Sequence, residues 1–151
     1  VAIDYSRQGQ KIHISDDVPL QTIAYSVIDV LGHMIHFSQE ARRYIQDSRR
    51  KKVWQRYVLN YFDRIPLILQ DPSIVIVDPD DYTERTHLYY REIYVEELKR
   101  QILFSVVVRT NGEHVIYNFH PQETGRVKAS KHKPPPQLLY LKPNARKKSY
   151  F

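Results

Sequence analysis

THLYYREIYV, residues 86–95, decides how the second half of the chain is read. Side chains alternate along a strand, so His87, Tyr89 and Arg91 share one face while Leu88, Tyr90 and Tyr94 share the other. Leu88, Tyr90 and Tyr94 make the better core face, although Glu92 fits it badly. This reading leaves His87, Tyr89 and Arg91 on an open side of a sheet. A slip of one residue would exchange the two sets.

The neighbouring strands extend the pattern. ILFSVVVRT (102–110) and HVIYNFHP (114–121) flank Asn111-Gly112, and an Asn-Gly pair is the strongest short-range signal for a type I′ hairpin. A two-residue loop there opposes Val108 to Val115, Val106 to Tyr117 and Phe104 to Phe119, a core face. The opposite face pairs Arg109 with His114, Val107 with Ile116, Ser105 with Asn118 and Leu103 with His120. Its apolar middle and hydrogen-bonding ends are those of a binding face. SIVIV (73–77) adds a fourth strand ahead of these.

Upstream the reading is mostly helical. In SDDVPLQTIAYSVIDVLGH, Asp17 can cap, Pro19 sits in a first turn, and Leu20, Ile23, Ala24, Val27, Ile28 and Leu31 fall on one helical face, with Gly32 as the stop. HMIHF reads as a short strand, and Ser38 caps a helix through EARRYIQDSRRKK. VWQRYVLNYFDRIPLILQ (53–70) repeats apolar residues at 3, 4, 3, 4 spacing, with a break expected at Pro66. AIDYS and QKIHIS around RQGQ read as an amino-terminal hairpin. The expected fold is α+β: amino-terminal helices packed on a four-stranded, mostly antiparallel sheet. It forms a single domain over residues 1–123, with a basic, Pro-containing carboxyl-terminal tail over 124–151. In that tail QLLYL is either a strand or an apolar anchor on the body.

Composition narrows the function classes. With 151 residues, 42% hydrophobic, the chain suits one globular domain. The absence of cysteine excludes disulfides, zinc–thiolate centres and Cys nucleophiles. The net charge of +6 sits in the tail: residues 124–151 hold eight basic residues and no acidic ones, whereas residues 1–123 carry a net −2. An anionic partner is the functional reading of such a tail, and solubility the plain one. No apolar run reaches membrane-spanning length and no signal peptide is legible, so a cytoplasmic protein without membrane contact is expected. The four glycines are not clustered into a phosphate loop, and no GxSxG elbow occurs. His33 and His36 are spaced to opposite faces of a strand, which argues against a metal pair. Arg42, Arg43 and the run at 49–52 are either a solvated helix face or cations for RNA phosphates.

The order of HMIHF, EARRYIQ, the long helix ending in ILQDPSIV, and the strands YYREI, LFSVVV and VIYNFHP resembles the barnase, EndoU, colicin E5/D and RelE-like ribonucleases. The phage-associated branch is most similar, over roughly residues 33 to 123. Members of that branch carry an HIxxRH-like motif in the helix after the first strand. Here the aligned stretch is YIQDSR, Tyr44 to Arg49, without either histidine, which leaves Tyr44 and Arg49 to act in their place.

The resemblance implies a metal-independent endoribonuclease of toxin type that needs no cofactor. The RNA 2′-OH attacks the adjacent phosphorus and leaves a 2′,3′-cyclic phosphate, with side chains supplying base, acid and positive charge. The expected catalytic set is His87, Tyr89, Arg91, His114, Asn118 and His120. The expected RNA-binding set is Arg43, Tyr44, Arg49, Arg109, Lys131 and Lys133. RNA is the expected partner, with an inhibitor or immunity protein beside it. The missing histidines support an alternative, a catalytically inactive RNA-binding or protein-interaction domain of the same fold. A third reading makes the chain a subunit of a larger assembly, strapped on by its tail.

Overall fold

A computed structural model describes residues 3–129, 136–146 and 149–151. Its elements are β1 (Ile3–Asp4), β2 (Lys11–Ile12), β3 (Gln21–Ile28), β4 (Met34–Ser38), α1 (Gln39–Lys51), a 3-10 segment (Val53–Arg64), α2 (Ile65–Gln70), β5 (Ile74–Val77), β6 (Thr86–Val95), β7 (Arg100–Arg109), β8 (His114–Pro121) and β9 (Leu138–Leu141). The strands form one nine-stranded sheet in the order β1-β3-β4-β8-β7-β6-β5-β9, with β2 also on β3. β4 and β8 run parallel, and the other pairs are antiparallel. The fold is therefore α+β, but the expected four-stranded sheet with amino-terminal helices is wrong. The sheet is mixed and more than twice as wide, and the helices lie in the middle of the chain.

The largest departure is β3, which the helical spacing had placed in a helix. Ile23, Ser26 and Val27 of β3 are wholly buried: Val27 belongs to the main core, Ile23 packs with Ile12 and Val115, and Ser26 is bonded to His36. A strand buried on both faces gives a near-continuous apolar run that periodicity alone does not separate from a helix. The β-branched residues Thr22, Ile23, Val27 and Ile28 were the available signal for a strand. Gly32 does not stop a helix; at φ +85° it completes the turn from β3 into β4. The amino-terminal hairpin is also corrected. β1 and β2 pair not with each other but successively along the outer edge of β3.

The β7–β8 hairpin forms with a different register. Asn111 lacks the positive φ of a type I′ turn, which among its two central residues only Gly112 shows. Arg109 therefore opposes Val115 and Val108 opposes Ile116. The register then shifts at Tyr117, so that Val107 opposes Asn118, Val106 opposes Phe119 and Ser105 opposes His120. This bulge sends Tyr117 outward, 54% exposed, and puts His114 on the opposite face from Asn118 and His120.

Both faces of the sheet are covered. Ile45 of α1, Val58, Tyr61 and Phe62 of the 3-10 segment, and Ile65, Ile68 and Leu69 of α2 build the main core against Tyr89, Phe104, Val106, Val108, Ile116 and Phe119. Phe104 and Phe119 stack at 5.2 Å, and Phe62 meets Phe119 edge-on at 5.3 Å. The break expected at Pro66 falls where the 3-10 segment gives way to α2. Pro66 occupies the first turn of α2, where its missing N–H costs nothing. On the other face, Ile74, Ile76, Leu88, Tyr90, Leu103 and Val107 are capped by Val127, Leu141, Tyr150 and Phe151 from the carboxyl-terminal end. Tyr89 and Tyr90 are accordingly both buried. The expected open face for His87, Tyr89 and Arg91 is thus overturned: Tyr89 points into the main core. QLLYL supplies β9, paired with β5. Among the described residues, no helix is long and apolar enough to cross a membrane.

Candidate functional site

Where β3 ends and β4, β6 and β8 begin, the topology gathers His33, His87, His114, Asp29 and Tyr89. The β3–β4 turn brings in Asp29 and His33. Asp29 is 5% exposed, and its Oδ1 accepts the backbone N–H groups of Leu31 at 3.0 Å and His33 at 2.7 Å. An Asp folded onto its own turn in this way fixes the loop. Its Oδ2 accepts the Tyr89 hydroxyl and lies 3.6 Å from His33 Nδ1, where a protonated ring would find its counter-ion.

His114 enters from the start of β8, with its ring centroid 4.7 Å from that of His33 and 6.3 Å from that of His87. The His33 side chain is 43% exposed and opens the cluster to solvent, while His87 and His114 are half-buried. Among the described residues, the Nδ1 atoms of His87 and His114 are buried without a hydrogen-bond partner. Burial, reinforced by neighbouring imidazoles, holds both rings below the ordinary histidine pKa and so neutral near pH 7. Burial and the Asp29 carboxylate push the Tyr89 phenol up, so it serves as a hydrogen-bond donor. The site therefore offers a neutral imidazole, a second imidazole beside a carboxylate, and one solvent-facing side. Among the described residues, no group of three His, Asp or Glu side chains is disposed to hold a metal ion.

Cationic groups stand at the same end of the sheet. Thr86 pairs with Arg109 one position from the His87 pair with Val108. The Arg85 guanidinium donates to Asn111 Oδ1 at 2.8 Å, tying the start of β6 to the β7–β8 turn. Arg109 lies over the Tyr117 ring at 4.0 Å.

The other expected site residues are elsewhere. Arg91 donates to the Asp71 carboxylate at 2.6 Å, and Lys142 reaches the same carboxylate at 3.1 Å. Asn118 accepts the N–H of Phe119 at 2.8 Å. His120 donates Nδ1–H to the Pro121 carbonyl at 3.1 Å, and its burial lowers its pKa. Arg49 is buried and donates to Gln55, which in turn donates to Glu123 at 3.2 Å. Arg43 lines a different cleft, with Arg42, Tyr5 and Tyr25. Tyr44 and Arg109 share a cleft beside the β7–β8 turn. Lys131 and Lys133 lie outside the described residues. The expected set is thus split: His87, Tyr89 and His114 stand together, Tyr44 and Arg109 share a second cleft, and Arg91, Asn118, His120, Arg43 and Arg49 lie elsewhere. Asp29 and His33 were missed because their segment read as the end of a helix; the D-V-L-G-H turn was their signal.

A second polar chain has the residue types of a hydrolase triad but not its access. His36 Nδ1 lies 2.5 Å from Ser26 Oγ, and its Nε2 lies 3.0 Å from both Glu113 and Arg7. Ser26 and His36 are both fully buried, so no acyl group reaches the hydroxyl. Burial and the Arg7 charge lower the His36 pKa. The neutral ring joins β3, β4 and the β7–β8 turn, which is a structural role.

Comparison of the chain with models of known families, with curated proteins and with solved structures gives no match.

Proposed function

We propose that the protein is a metal-independent endoribonuclease acting through the cluster at the β3–β4 turn. The observation that carries this reading is the pairing of His114, neutral and half-buried, with solvent-facing His33 beside Asp29. His114 takes the proton of the RNA 2′-OH as its oxygen attacks phosphorus. His33, 3.6 Å from Asp29, is the acid that gives a proton to the departing 5′-oxygen. The O2′–P bond forms, the P–O5′ bond breaks, and the products are a 2′,3′-cyclic phosphate and a 5′-hydroxyl. The sequence order over residues 33–123, read as resembling the barnase-like ribonucleases, suggests this chemistry, and the basic residues of the carboxyl-terminal end suit an anionic partner. The test is RNA cleavage in chelator by the wild-type protein and by His33→Ala and His114→Ala. Cleavage lost in both variants agrees with the reading, and cleavage unchanged in both contradicts it.

A second reading, an RNA-binding domain without catalysis, is favoured by a specific observation. Arg49, expected to act in place of a missing motif histidine, is buried and bonded to Gln55. That reading requires RNA binding that weakens steeply with salt and yields no product.

A further inference from the structure

Beside the β7–β8 turn, the first turns of α1 and the loop before β3 enclose a cleft of about 390 Å³. Its floor is apolar, from Ile14, Val18, Ala41, Val115 and Ile116. Its rim carries two tyrosines that the fold does not use. Tyr44 is 71% exposed, and Tyr117 is the residue thrown outward by the β8 bulge. The Arg109 guanidinium lies 4.0 Å from the centroid of the Tyr117 ring and makes no ion pair among the described residues, so a flat cationic platform stands ready-made.

From this geometry we infer that the cleft holds one unpaired base of an RNA strand. The apolar lining and the two tyrosine rings suit a planar ring and not a phosphate. Glu40 strengthens the distinction. Its carboxylate, held by the Thr22 N–H at 2.9 Å, puts negative charge on the rim, where it repels phosphate and accepts from the N–H edge of a base. Asn111 also lines the cleft; its carbonyl is occupied by Arg85, which leaves the amide N–H₂ to donate. Base-on-aromatic stacking beside an arginine is the usual mode of single-strand recognition. A duplex does not fit, because its bases are not free to enter. The inference rests on RNA being the ligand, and it adds a site for substrate selection apart from the histidine cluster.

The test uses the full chain and fluorescence anisotropy with a labelled single-stranded RNA oligomer and the same sequence as a duplex. The wild type should prefer the single strand. Tyr44→Ala and Tyr117→Ala should each weaken single-strand binding by roughly 5- to 100-fold. The slope of affinity against salt should stay that of the wild type, because no phosphate contact is lost. Arg109→Lys, which keeps the charge but not the planar stack, should also weaken binding. Tyrosine variants that bind like a wild type that does bind RNA would overturn the base site alone. A wild type that binds neither RNA would overturn the site together with the ribonuclease reading.

Discussion

The imidazoles of His33 and His114 lie 4.7 Å apart, one on the β3–β4 turn and the other at the start of the parallel-paired strand β8. The first expectation concerns their division of labour. A base must be unprotonated, and burial lowers the His114 pKa. Cleavage should therefore persist to mildly acid pH and fall only below about pH 6.5, the ordinary histidine value. His114→Ala should lower kcat/KM by roughly 100- to 10,000-fold, the usual range for losing a general base. A pH–rate profile with the same acid limb in wild type and variant would assign the base elsewhere.

Tyr89 donates to the nearly buried Asp29 carboxylate. Tyr89→Phe removes the donor and leaves a carboxylate oxygen short of a partner, at a cost of about 1–3 kcal/mol. Urea denaturation measures this. A variant as stable as the wild type would show that the bond contributes nothing net.

His36, His87, His114 and His120 all have lowered pKa values, with burial as the first cause. The unfolded chain then binds protons that the folded chain refuses. Stability should be complete above the unfolded value of about 6.5 and should decline as pH falls through it toward the lower folded values. Denaturation midpoints from pH 8 to pH 5 test the sign, and His36→Gln should flatten part of the slope. Midpoints that rise on acidification would refute it.

The carboxyl-terminal end is held to the body by more than charge. Val127 and Leu141 pack on Ile74, Leu88 and Tyr90, while Lys128 pairs with Asp78 at 2.9 Å and Lys142 with Asp71 at 3.1 Å. Truncation after Glu123 would uncover a second core and the edge of β5. At about 1.5–3 kcal/mol for each large apolar side chain uncovered, this should destabilise the protein by several kcal/mol and promote aggregation. Lys142→Ala alone should cost at most about 1 kcal/mol, because its pair is partly exposed. A truncated chain melting like the full chain would contradict this packing.

Legibility followed how locally each element is determined. Ser38 accepts from the Ala41 N–H at 3.0 Å, and THLYYREIYV spans β6 from end to end, since a cap and an alternating run are local signals. β3 was not legible. Its side chains are buried by packing, Val27 in the main core, Ile23 with Ile12 and Val115, and Ser26 against His36, and that removes the polar stripe by which a strand is recognised. The faces of β8 were lost for a subtler reason. One bulged residue, Tyr117, reverses parity between Ile116 and Asn118, and the pattern of a single strand does not mark it. The same reversal scattered the expected site, carrying His114 to the face of His87 while Asn118 and His120 stay on the face of Ser105 and Val107. Asp29 and His33 became recognisable only once their segment was known to be a β-turn.

The most direct test of the central claim is the chemistry of the cut ends. RNA incubated with the purified protein in excess chelator should carry 2′,3′-cyclic phosphate and 5′-hydroxyl termini, and the His33→Ala and His114→Ala proteins should produce neither. Intact RNA with the wild-type protein, or termini bearing a 5′-phosphate, would contradict the account.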